Sequence, residues 1–146
     1  MAFVYSFKNV QCAITGPGGS INLGDGSGAT DEGITFSPTG EINTMTIGAD
    51  GSGQHSLHGD RSGKVMVRLL KTSPTNKQLS AMYAAQTSNG AAHGQNTISL
   101  TDTLRGDSVT ATQVAFQKAP DISYGKEAGF VEWDFAAVVI DRILGA

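Results

Sequence analysis

The stretch FVEWDFAAVVIDRI, Phe130–Ile143, constrains the fold more than any other part of this chain. Val131, Trp133, Phe135, Ala137 and Val139 alternate with Glu132, Asp134 and Ala136. A period of two puts the first set on one face of a strand and the second on the other, whereas a helix would scatter both. The first face therefore reads as core. KVMVRLLK at 64–71 reads as another well-packed strand, with apolar residues on both faces. Strands like these leave unpaired sheet edges, an aggregation hazard for a lone subunit.

Shorter runs extend the β pattern. In 3–14 the alternation Phe3, Tyr5, Phe7 changes phase before Val10, Cys12 and Ile14, which predicts a bulge or bend. Strands are predicted at 20–23, 33–37, 41–48, 96–101 and 108–118. Over 41–48 Ile42, Thr44 and Thr46 oppose Asn43, Met45 and Ile47, and Glu41 with Asn43 starts a polar face. One helix is predicted, at about 74–88. Ser73 is its N-cap, Pro74 its first turn, and Asn89-Gly90 its C-cap. Leu79, Met82, Tyr83 and Gln86 recur at helical spacing and should point inward. The result is a mainly β chain of 146 residues, sized for one domain over 1–146.

Nineteen glycines, about twice the average share, fit a fold with many turns. Two glycine-rich stretches nearly repeat: GDGSGATDEG at 24–33 and GADGSG at 48–53. Both look like fragments of a calcium loop. With Gly28 at position 6 of such a loop, Leu23 and Ile34 fall where the anchoring carboxylates belong. With Gly53 there, two glycines do. Asx-turn chemistry accounts for the spelling better: Asp accepts from its own backbone, and Gly supplies positive φ. His55, His58 and His93 have no acidic or thiol partner at metal-ligand spacing, and Cys12 is the only cysteine. No phosphate loop or nucleophile elbow is present. No metal, cofactor or catalytic residue is therefore expected, and the chain does not read as an enzyme.

Ten basic against thirteen acidic residues exclude a binder that works by neutralising phosphates. No apolar run approaches about 20 residues, so no membrane-spanning helix is expected. The start, MAFVYSFKNVQC, lacks the pattern of a signal peptide, which predicts synthesis in the cytoplasm. A monomeric β-sandwich that binds a surface or a carbohydrate would show clustered loop aromatics, which the sequence largely lacks.

The segment 47–79, IGADGSGQHSLHGDRSGKVMVRLLKTSPTNKQL, joins a glycine-rich loop at about 48–63 to a strand that runs straight into the helix. This resembles the tail tube proteins of contractile-tailed bacteriophages, most sharply in 62–74 with Asn76 and Leu79. The likeness extends from the first strand to the last. It implies two packed antiparallel β-sheets with one flanking α-helix, similar to the haemolysin-coregulated tube proteins of secretion systems. It also implies homohexameric rings, stacked into a tube within a virion tail assembled in the host bacterial cytoplasm. The partners would be other copies of the chain and the tail sheath, baseplate and tail terminator proteins. Double-stranded DNA would pass through the lumen without specific binding. A tailocin or a type VI-like secretion tube would share the fold. Under this resemblance Glu132, Asp134, Glu41 and Asn43 are expected to face the lumen. The glycine-rich loop, with Asp50, Gln54, His55, His58, Asp60 and Arg61, is expected to reach a neighbouring subunit and to become ordered on polymerisation.

Overall fold

The computed structural model describes residues 4–17, 19–24 and 29–145, with backbone alone for 29–32. Among these residues nine strands and one α-helix follow in the order β1 (Val10–Gly16), β2 (Gly19–Asn22), β3 (Ala29–Pro38), β4 (Asn43–Ile47), β5 (Gly53–Leu57), β6 (Gly63–Leu70), α1 (Thr75–Thr87), β7 (Asn96–Asp102), β8 (Ser108–Lys118) and β9 (Phe130–Ile143). Seven strands form one antiparallel sheet, β2-β1-β7-β8-β9-β6-β3, and β4 pairs only with β5. The antiparallel, mainly β architecture with one helix is the one predicted, divided unevenly into seven strands and two.

The sheet curls around a single core. Cys12, Ile14 and Ile21 from one end of the sheet join Val65, Val67 and Leu69 from the other end in one buried cluster. Phe116 sits at its centre, against Tyr83 at 5.5 Å, Trp133 at 5.9 Å and Phe135 at 4.9 Å between ring centroids. Each large apolar side chain fully buried here contributes about 1.5–3 kcal/mol. Burial also pushes the Cys12 thiol up to about 12, so it behaves as a small hydrophobe.

Helix α1 closes one side of the core with Leu79, Met82 and Gln86 buried and Tyr83 packed against the cluster. Ser73 does accept the Thr75 N–H on Oγ at 3.2 Å, although the helix itself begins after Pro74. Its end differs from the prediction. The C-cap is Ser88 in a right-handed conformation, and Asn89 Oδ1 accepts from the Ala91 N–H instead. Positive φ is deferred to Gly94 (80°), so Gly90 is not needed as a left-handed cap.

Three further differences concern the strands. The phase change in 3–14 is a 3₁₀ turn at Phe7–Asn9, with Ser6 Oγ accepting from Lys8, and the strand begins only at Val10. The alternation of β9 holds from Val131 to Ala137 and then slips: Ile140, not Val139, packs against the core. The cause lies in β8, where Gln113 has φ 53° and the β7–β8 register shifts between Asn96 and Ile98. Ala111 and Val114, three residues apart, both point inward opposite Ile140 and Ala137. Finally, the loop expected at about 48–63 contains β5. It lacks an apolar alternation because most of its side chains lie in solvent.

Candidate functional site

Strands β4 and β5 extend the β3–β6 hairpin into an arm. Pro38 still pairs with Gly63, Thr39 N–H donates to Ser62 O at 3.0 Å, and the ladder resumes at Asn43 opposite Leu57. At about 3.4 Å per residue, five-residue strands carry the arm about 17 Å. Its tip is the Asp-Gly turn that the sequence spelled out. Asp50 Oδ1 accepts the Ser52 N–H at 3.0 Å, and Gly51 takes φ 90°. That backbone bond is the main reason the Asp50 carboxyl lies below its ordinary range. The first echo cannot be compared, because 25–28 lie outside the described residues.

The predicted loop residues all belong to the arm or its root. His55 pairs with Asn43 across the two strands at 3.2 Å, and His58, just past β5, pairs with Thr44 at 2.7 Å. Gln54 lies opposite Thr46. Asp60 accepts from both the hydroxyl and the N–H of Ser62, at 2.6 and 2.9 Å; the hydroxyl is the larger cause of its lowered carboxyl. Arg61 O accepts the Ile140 N–H, and its guanidinium meets Asp141 at 3.3 Å with both side chains 60% exposed, a pair worth little. Among the described residues no three His, Cys, Asp or Glu side chains converge as metal ligands would.

What the sequence did not reveal is the arm's apolar face. Met45, Ile47 and Leu57 share one side of the hairpin with Asn43 and His55, and are 59%, 56% and 82% exposed. Two-stranded hairpins are marginal alone in water. A hairpin that also holds three large apolar side chains in solvent is a surface awaiting a cover. The Asp50-Gly51 dipeptide between two short runs was the available signal for the hairpin.

Glu132 and Asp134 lie together on the outward face of β9, as the alternation placed them. Glu132 Oε2 accepts from Arg68 Nε at 2.7 Å, on directly opposite positions of β9 and β6. Asp134 approaches Lys118 only at 3.9 Å; its side chain is 14% exposed and Oδ1 has no hydrogen-bond partner. Desolvation, helped by the negative charge of Glu132, raises its carboxyl above the ordinary range. The same face of β7 and β8 carries Thr97, Ser99, Thr101, Thr110 and Thr112. Glu41 and Asn43 do not join this group: Glu41 precedes β4 and Asn43 lies on the arm.

The sequence matches the family model described as bacteriophage PhiTE tail tube protein over residues 1–145. No curated protein matches it. Its fold is similar to several solved by cryo-electron microscopy. The anti-feeding prophage cap, a tube terminating cap, aligns at 11% identity over 99% of this chain and 95% of its own, with a TM-score of 0.56. The PVC sheath–tube complex of an extracellular contractile injection system, in the extended state, aligns at 9% identity over 99% and 94%, TM-score 0.57. The sheath/tube terminator of the same system aligns at 11% identity over 98% and 99%, TM-score 0.60.

Proposed function

The chain belongs to the bacteriophage PhiTE tail tube family, a structural subunit of the tail tube, and from that membership we propose that it stacks as homohexameric rings into the conduit for DNA ejection. The observation that carries this reading is the projecting arm with its uncovered apolar face. A subunit working alone would lose by exposing it; a subunit that meets other copies gains by covering it. The function is assembly, without catalysis, in a tail built in the host cytoplasm. Sheath, baseplate and terminator proteins are the remaining partners, a reading supported by the similarity to sheath–tube and terminator structures.

In this reading the end of the outward sheet face that carries Glu132 and Asp134, away from the root of the arm, faces the lumen. Arg68 pairs with Glu132 within the subunit, Lys118 and Lys64 stand near Asp134, and hydroxyls fill much of the rest. A face with few free cations releases few counterions on meeting phosphates, so DNA slides past without a salt-dependent hold. The likeness to an extracellular injection system favours a second reading, the tube of a headless tail. The presence or absence of capsid genes beside this one separates the two.

The test replaces residues 40–61 with a two-residue Asn-Gly turn, which joins Thr39 and Ser62 where their backbones already meet. The shortened protein should stay folded and monomeric by size-exclusion chromatography, while the intact protein forms rings or tubes in negative-stain micrographs. Normal tubes from the shortened protein would remove the arm from assembly.

A further inference from the structure

The outward face of β8 and β9 carries a groove of about 640 Å³ beside the root of the arm. Its floor is Ala115, Ala136, Val138 and Val139; residues 59–62 form one wall and Gly94 with Gln95 the other. Two features of the chain create it. Ala115 and Ala136 are direct cross-strand partners, so two methyl groups stand where neighbouring positions carry larger side chains. At Gln113 the left-handed backbone kinks β8 and shifts its register against β7, and on β9 Val139 leaves the core to stand beside Val138, which is 54% exposed. A non-glycine residue held at positive φ is uncommon, and such strain tends to collect at functional sites.

We infer that this groove is the seat for the arm of a second copy of the chain, taking Met45, Ile47 and Leu57. The inference rests on the reading of the arm as an intersubunit contact and adds the surface that receives it. Strands β4 and β5 carry no charged side chain, and the groove floor is wholly aliphatic; Asp60 and Arg61 stand at its rim, and exposed Lys64 stands beside it, opposite Ala136 on β6. Charge thus neither opposes the contact nor leaves an ion buried by it. Gln95 and Gln113 border the groove with amides that suit Asn43 and His55 at the edge of the arm's apolar face. The arm does not fill its own groove, because its apolar side chains stay more than half exposed. Arm and groove are different surfaces, so the contact runs head to tail. Such contacts close into rings or continue as filaments, and a stacked tube requires both kinds of propagation.

Two experiments on the full chain test this. Cysteine placed at 45, 47 or 57 is paired with cysteine at 115, 136 or 138, and the assembled protein is oxidised mildly. Buried Cys12 stays out of the reaction. At least one pairing should give a ladder of covalent oligomers on non-reducing gels, with no ladder from the single variants. Separately, Ala136→Trp fills the groove from an exposed position; polymerisation should fall roughly tenfold or more, as at an interface hot spot, while subunit melting is unchanged. If no pairing cross-links, or if folded Ala136→Trp polymerises normally, the groove is not the seat. If Leu57→Asp still blocks polymerisation in that case, the arm remains an intersubunit contact with another receptor. Normal polymerisation of Leu57→Asp would overturn both. Should Ala136→Trp fail to fold, the cysteine pairs decide alone.

Discussion

Gln86 and Asn96 exchange two amide hydrogen bonds inside the core, one in each direction, at 2.8 and 2.6 Å, and each is almost fully buried. Gly16 makes room for them, since any Cβ there would overlap Asn96 Oδ1. The pair ties α1 to β7. Removing one amide leaves the other unsatisfied, so Gln86→Leu should cost about 1–3 kcal/mol in chemical denaturation. The double change Gln86→Leu/Asn96→Leu should recover part of that loss, because no buried polar group is then left without a partner. Asp134 behaves in the opposite sense. Its folded carboxyl holds a proton more tightly than the unfolded chain does, so stability falls as pH rises from the ordinary carboxylate range through the raised folded value. Asp134→Asn should therefore be at least as stable as the parent at neutral pH, and its melting temperature should vary less between mildly acidic and neutral buffer. A clear destabilisation at neutral pH would mean that the Lys118 pair outweighs the desolvation.

Among the elements, α1 is held by packing more than by its own sequence. Its first turn has no acidic residue and its last turn no basic one, so the helix dipole is uncompensated by side-chain charge. Leu79 is fully buried, and Asn76 ties the helix start to two strands, accepting from Trp133 Nε1 at 3.1 Å and donating to Leu70 O at 3.0 Å. Leu79→Ala should cost about 2–5 kcal/mol, as large-to-small core changes do, read as a lower denaturation midpoint of the isolated subunit. A negligible shift would mean that the helix is held chiefly by contacts outside the subunit.

At the scale of the whole molecule, stability is divided between a closed core and an arm outside it. The core residues belong to one cluster, whereas most side chains of β4 and β5 are exposed. The amides that join the arm's strands should exchange with solvent within the fast regime of local opening in free subunits, far ahead of β8 and β9. Polymerisation should slow that exchange sharply; hydrogen-exchange mass spectrometry of free and assembled protein reads both. Unchanged exchange in the arm would mean it stays uncovered in the tube. The paired strands also lower the ordering cost below that of a formless loop, since much of the backbone is already fixed.

The sequence by itself determined the elements whose pattern is local. The strands β8 and β9 were predicted at their observed bounds, β9 from its period-two alternation, and the Asx spelling of Asp50 was turn chemistry. The inward face of α1 followed from its helical spacing. It also put Glu132 and Asp134 on one outward face, and its segment 62–79 carried the family likeness that the match over residues 1–145 bears out. Only the tertiary structure decided the rest, because the causes there lie between strands distant in sequence. Val139 lost its core place to Ile140 through a kink at Gln113 on the neighbouring strand. Arg68 found Glu132 across 64 positions. The apolar face of the arm was invisible for a related reason: alternation tells which side chains share a face, and burial of that face depends on what the fold, or another subunit, brings against it.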